Sequence, residues 1–212
     1  MFKYFIAFIL IILMPVSALA EPFTEGTDYT VIASNSTTQN PTKAVPVTEF
    51  FSYGCPWCYR LEAPLMKWVE QQGNKISYHK VPVIFNKNWE YYAKAYYTAE
   101  ALGMGNQLTP VLFKAILKDK LPLSSNQAMV DFFTSQGMDA EIIRSAFYHS
   151  PNIDMEISNS KKMMGLYQIN AVPAVLVNNQ YKTDLQLAKT EERFFAILDF
   201  LVDKAKQNKP SA

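Results

Sequence analysis

Cysteine is scarce in this chain: 212 residues hold two, Cys55 and Cys58. A secreted domain built on disulfide staples would carry several cysteines spread along its length, so a multi-bridge framework is excluded. One bridge across two intervening residues closes a very short loop. On chain-entropy grounds it adds only about 2 kcal/mol, too little for a domain of this size to depend on. Histidine is equally rare, and a zinc site needs four ligands, or three and a water. Beyond the cysteines only His79 and His149 remain, each isolated in sequence. Their expected roles are structural, His79 in a strand and His149 near a helix end where a positive charge suits the dipole. An excess of one charge is missing too. The net charge is +1 and no Lys/Arg cluster occurs, which argues against a nucleic-acid partner. Among the three readings of the cysteine pair, spacing and compartment favour a redox site over a staple or a metal site.

The compartment follows from the opening residues. Lys3 precedes an uncharged run from Tyr4 to Met14, then Pro15 and the small-x-small pattern Ala18-Leu19-Ala20. This predicts a secretory signal peptide over residues 1–20, with the mature chain starting near Glu21. The run is shorter than the ~20 residues a membrane anchor needs, and no later stretch is apolar enough to span a bilayer. Exported chains meet conditions in which disulfide chemistry is permitted.

The chain is organised around Val45 to Arg60, VPVTEFFSYGCPWCYR. Val47 to Phe51 is an apolar run with one acid, Glu49, and reads as a buried strand. Ser52-Tyr53-Gly54 breaks it. After Cys58, Leu61, Leu65, Trp68 and Val69 recur at helical spacing, and Pro56 suits a first helical turn because its missing N–H has no partner there. Cys55 is therefore expected at a helix N-terminus, exposed and attackable. Unpaired backbone N–H groups and the helix dipole there favour a thiolate. Cys58, one turn deeper, is expected to be shielded, with burial raising its pKa.

Around this centre the pattern predicts a strand at Tyr29 to Ala33, a polar loop over residues 34–43, and a strand at Val45 to Phe51. A helix to about Gln72 follows, then a strand within Lys75 to Val83. From Trp89 to Ser150 only helical segments are expected: Trp89–Leu102, Leu108–Leu117, Asn126–Ser135 and Ala140–His149. Their aromatic residues, among them Tyr91, Tyr96, Phe133, Phe147 and Tyr148, are expected to fill a helical core. Ile153–Tyr167 reads as a helix, Val175–Val177 as a strand, Asn178-Asn179 as a tight hairpin turn, and Thr190–Lys206 as a closing helix. The fold class is α/β, with residues 21–85 and 152–212 forming one domain and residues 86–151 an inserted helical domain.

These residues match a family. Glu49-Phe50-Phe51-Ser52, Cys55-Pro56-x-Cys58-Tyr59, Ala101-Leu102-Gly103, Pro110-Val111-Leu112-Phe113, Val172-Pro173-Ala174 and Val177-Asn178 occur in order along nearly the whole mature chain. Together they resemble the DsbA-like exported thiol:disulfide oxidoreductases, on a thioredoxin fold with an inserted helical subdomain. The resemblance implies that Cys55 is the reactive cysteine and Cys58 its partner, flanked by Pro56 and Trp57. It implies a cis Val172-Pro173 bond facing the pair, with the backbone before the proline pairing an extended substrate segment. Glu49 matches a buried acid that relays a proton to or from Cys58. Two departures stand out. The best-known members have histidine after the proline where this chain has Trp57, which offers only a neutral N–H and implies a weaker oxidant. Ala171 stands where glycine is common before the Val-Pro pair.

By that resemblance the protein is a periplasmic oxidase that introduces disulfides into unfolded exported proteins. A DsbB-like, quinone-linked membrane protein reoxidises it, and no dissociable cofactor is implied. The alternatives are a disulfide isomerase or reductase kept reduced, or a redox-silent chaperone. Isomerases of this kind are usually dimers with an added domain. Only about eight residues separate the expected cleavage site from the first strand, so a monomer is expected.

Overall fold

The structure is a computed structural model that describes residues 22–32 and 44–207. The expected signal peptide, the end of the first expected strand, the polar loop and the C-terminal tail lie outside the described residues. Five strands form one mixed sheet in the order β1-β5-β4-β2-β3: β1 (Thr30–Val31), β2 (Val45–Phe51), β3 (Ile76–Pro82), β4 (Ala174–Val177) and β5 (Tyr181–Asp184). β2 pairs parallel with β3 and antiparallel with β4. The β2–β3 crossover is α1 (Pro56–Gln72), as a parallel pair requires. It ends at Gly73, whose positive φ of 52° is cheap only for glycine. Asn178 and Asn179 both adopt positive φ in the β4–β5 hairpin, where asparagine tolerates the left-handed region.

Alternation along the strands gives the sheet two apolar faces. Val45, Val47, Ile76, Val175 and Val177 pack against Leu61, Leu65 and Trp68 of α1 and against α8 (Glu191–Gln207). Trp68 Nε1 donates to Asp199 Oδ1 at 2.9 Å, joining α1 to α8. On the other face Phe50, Val81, Ala174 and Leu176 meet Tyr167 and Ile169 at the end of α6 (Pro151–Leu166). Met163 and Met164, half-buried, pack against the same cluster.

Between β3 and α6 lie α2 (Lys87–Ala101), α3 (Gly105–Phe113), α4 (Asn126–Ser135) and α5 (Ala140–His149). Side-chain caps set the starts of α2, α4 and α5: Asn86, Ser125 and Asp139 each accept from backbone N–H groups of the first turn. Tyr96, Phe113, Met129, Phe133 and Phe147 fill one core with Phe51, Tyr53, Cys55 and Cys58. The cysteine pair therefore sits where the helical block meets the sheet.

The structure differs from expectation in several places. α3 continues into a π-helical turn, Lys114–Lys118, rather than as α-helix to Leu117. A short α7 (Leu185–Ala188), capped by Asp184, was not expected from its four residues. α6 begins at Pro151, which occupies its first turn behind the Ser150 cap instead of standing outside the helix. Tyr148 is exposed, pointing away from the core its neighbour Phe147 fills. The segment before β1 is packed down: Phe23 lies on Phe200 with centroids 5.4 Å apart. Asp28 is buried and paired with Arg193.

Candidate active site

The turn after β2 delivers Cys55 to the start of α1. Cys55 N–H donates to the Ser52 carbonyl at 3.0 Å, and Gly54 N–H donates to Ser52 Oγ at 3.1 Å. Tyr53 is buried beneath the turn and shares a 3.0 Å hydrogen bond with Thr109 of α3. Gly54 lies so close to the indole of Trp89 that a Cβ there would collide with Nε1. Sheet, turn and helical block are thus fastened at the residue before the cysteine.

Cys55 is the N-cap residue of α1, and its Sγ accepts from the Cys58 N–H at 3.4 Å. The thiol is lowered to about 7. The largest cause is the hydrogen bond from the Cys58 thiol; the N–H groups of Cys58 and Trp57 add to it, while burial and the Glu49 charge oppose it. Cys58 is shifted the other way, well above the ordinary thiol value, chiefly by burial. The expected asymmetry in acidity is present. The expected exposure of Cys55 is not, for it is only 5 % exposed. The cause is a facing loop: the Cys55 thiol donates to the Val172 carbonyl at 3.4 Å, and the Val172-Pro173 bond is cis. Pro56 and Trp57 are the exposed residues of the motif, Trp57 at 57 %. The Arg60 guanidinium lies 5.7 Å from the centroid of the Trp57 ring. A groove of about 510 Å³ runs beside them, lined by Trp57, Arg60, Val172, Pro173 and residues at the starts of α7 and α8.

Below the pair, Glu49 is fully buried on β2. Its Oε2 accepts from the Tyr78 hydroxyl and lies 3.4 Å from Lys80 Nζ. Lys80 in turn is 2.6 Å from Glu62 Oε2 on α1. Burial lifts the Glu62 carboxyl above its usual range, with Lys80 pulling back and the Glu49 charge adding to the rise. For Lys80, burial works downward, but Glu49 and Glu62 outweigh it and hold the ammonium above its usual value. Tyr78, Lys80 and Glu62 escaped the sequence reading. For Glu62 a signal existed, since it lies one helical turn beyond Cys58; Lys80 is the register partner of Glu49, which only the folded pairing reveals. His79 and His149 take no part. His79 bonds Ser77 Oγ on the exposed edge strand, and His149 closes α5. No group of three or more metal-binding side chains occurs among the described residues.

A DSBA-like thioredoxin domain profile matches residues 46–195, which includes all but the first residue of β2, both cysteines, the helical block and the Val172-Pro173 loop. The chain belongs to the DSBA-like thioredoxin family. Curated relatives agree over most of its length. The thiol:disulfide interchange protein DsbA of Burkholderia cepacia is 37% identical over 184 residues, 87% of this chain and 86% of the relative. That of Pseudomonas aeruginosa is 30% identical over 192 residues, 91% and 90%. The crystal structure of Pseudomonas aeruginosa DsbA superposes with a TM-score of 0.82 at 28% identity, covering 89% of this chain and 97% of that one. The matched residues hold both cysteines, with the Trp57 indole between them. The α/β fold expected from its pattern, a thioredoxin sheet carrying a helical insertion, is the family fold.

Proposed function

We propose that this protein is an exported oxidase that passes a disulfide from Cys55-Cys58 to unfolded client proteins in the periplasm. A client thiolate attacks Cys55 Sγ, the Cys55–Cys58 bond breaks, and the Cys58 sulfur leaves with the electron pair and takes up a proton. The client's second thiolate then attacks its own sulfur in the mixed disulfide. Its disulfide forms, Cys55 leaves as a thiolate, and two electrons have moved from client to enzyme. The observation that carries this reading is the opposed acidity of the two sulfurs, one lowered at the helix N-terminus and the other raised by burial one turn deeper. It makes Cys55 the better leaving group and favours the reduced enzyme.

Supporting roles follow from position. Trp57 and Arg60 border the groove that receives an extended client segment, the Val172 backbone pairs with it, and Glu49 exchanges a proton with Cys58. Residues 1–20 direct export, and residues 86–151 form the inserted helical domain of a monomeric enzyme. A DsbB-like, quinone-linked membrane protein restores the bridge. Alkylation trapping of the cysteines in intact cells tests the assignment. A mostly bridged pair is expected, together with catalysed refolding of a reduced client that is lost in Cys55→Ser. Equal refolding by both proteins would leave only a chaperone.

One observation favours a second reading. Trp57 offers only a neutral N–H beside Cys55, which pulls the pair toward a weaker oxidant. A pair found mostly as dithiols in cells would assign the protein to reduction or isomerisation instead.

A further inference from the structure

The two oxygens of Glu49 are not equivalent. Oε2 carries the Tyr78 hydroxyl and the more distant Lys80 ammonium. Oε1 is buried without a hydrogen-bond partner among the described residues. Lys80 is committed elsewhere, since its Nζ is 2.6 Å from Glu62 and 3.4 Å from Glu49. The phenol is therefore the donor that belongs to Glu49 alone. A buried anion with an empty oxygen is costly unless its other oxygen is well satisfied.

We infer that Tyr78 is a positioning residue for the redox step: its hydroxyl anchors Glu49 Oε2, leaving Oε1 as the oxygen that exchanges the Cys58 proton. This rests on the assignment of Glu49 as proton carrier for Cys58. When a mixed disulfide at Cys55 collapses back to the enzyme bridge, the Cys58 proton moves to Oε1 and the Cys58 sulfur attacks Cys55 Sγ. The Cys55–Cys58 bond forms, and the bound thiol leaves as a thiolate. In the oxidising direction each step reverses, and the proton returns to Cys58. Tyr78 stays protonated throughout, because burial and the Glu49 charge push its own ionisation far upward. The charged and titratable groups around Glu49 are Cys55, Cys58 and Glu62 from α1, Tyr78 and Lys80 from β3, Tyr53 from the turn and Tyr96 from α2. Of these only Tyr78 and Lys80 are bonded or ion-paired to it.

The test uses the mixed disulfide of the full mature protein with thionitrobenzoate at Cys55 and follows release of the coloured thiolate against pH in wild type, Tyr78→Phe and Glu49→Gln. Phenylalanine keeps the ring that packs on the core and removes only the donor. The expected result is a Tyr78→Phe rate about tenfold below wild type near pH ~5, the scale of one lost hydrogen bond, with a gap that narrows as pH rises and solvent base takes the Cys58 proton. Glu49→Gln should lose the acid-side rate more completely. A Tyr78→Phe profile identical to wild type overturns the inference, as does a loss of the same factor at every pH, which marks a packing role. If Glu49→Gln itself matches wild type, the proton-carrier assignment fails and the Tyr78 role with it. If Glu49→Gln loses the acid limb while Tyr78→Phe keeps it, the carrier stands and only Tyr78 is dismissed.

Discussion

The Cys55 thiol faces the Val172 carbonyl oxygen across 3.4 Å, and that contact joins two segments 117 residues apart in the chain. One comes from the β2–α1 turn, the other from the loop entering β4. Because β2 and β4 are antiparallel neighbours, the start of β4 lies beside the end of β2, and the loop is carried over the helix N-terminus. A client segment laid along Val172 would bring its own sulfur to Cys55, which is how a cysteine only 5 % exposed can still be the reactive one.

The pH dependence of the reduced protein follows from Cys55. Its thiol is depressed to about 7 in the folded state, against an ordinary value of ~8.5 in an unfolded chain. A depressed acid contributes stability that is fully present above the unfolded value and is lost as pH falls through the folded one. The bridged protein has no thiol to titrate. Reduced minus oxidised stability should therefore fall as pH drops from about 8.5 to about 7 and flatten below it. Cys58 works in the opposite sense only above the ordinary thiol range, because it stays protonated when folded. Denaturant unfolding of both redox forms across this window checks the sign; a gap that is constant or widens toward acid would refute it.

Replacing Trp57 by histidine should make the protein a stronger oxidant. The indole at this exposed position offers a neutral N–H, whereas a histidinium would add a positive charge beside the Cys55 sulfur. A drop of about one pKa unit is expected in the thiolate absorbance titration. The potential should rise by up to about 30 mV in glutathione equilibrium. An unchanged titration would mean that the indole side chain has no electrostatic role and serves only the groove it borders.

Removing Cys58 should trap clients. In Cys58→Ser the Cys55 thiolate still attacks a client disulfide and releases one client sulfur as thiolate, but no second enzyme thiol is present to reverse the adduct. Non-reducing gels of exported proteins should show covalent adducts that disappear with reductant and are absent in the Cys55→Ser, Cys58→Ser double variant. Adducts that persist in the double variant would place the reactive group elsewhere.

The legible and illegible parts of the chain divide along one physical line. Helices α4 and α5 start and end where expected because Ser125 and Asp139 cap them locally. The Asn178-Asn179 turn is equally local. What escaped depends on contacts between segments: the burial of Cys55 under Val172, the pairing of Lys80 with Glu62, and the phenol of Tyr78 on Glu49. Residues 78 and 80 share a face of β3 by simple alternation, but only the register against β2 places that face beside Glu49, and an alternating strand does not announce its neighbour. α7 was missed for another reason: four residues carry no helical period, and the Asp184 cap that defines them lies at the end of a strand.

The tightest packing beside the cysteines gives the last prediction. Gly54 has an ordinary backbone conformation, so its requirement is space rather than backbone freedom: a Cβ would run into the Trp89 indole. Trp89 also packs against both adjoining cores, so it cannot yield freely. Gly54→Ala should cost about 1–3 kcal/mol, the usual penalty of overpacking, and lower the thermal midpoint of both redox forms alike. Trp89→Leu alone should also destabilise, by opening a cavity. Combining the two should recover part of the Gly54→Ala loss, because the methyl group then has room. Midpoints that add without recovery would show that the alanine acts through the backbone of the turn rather than against the indole.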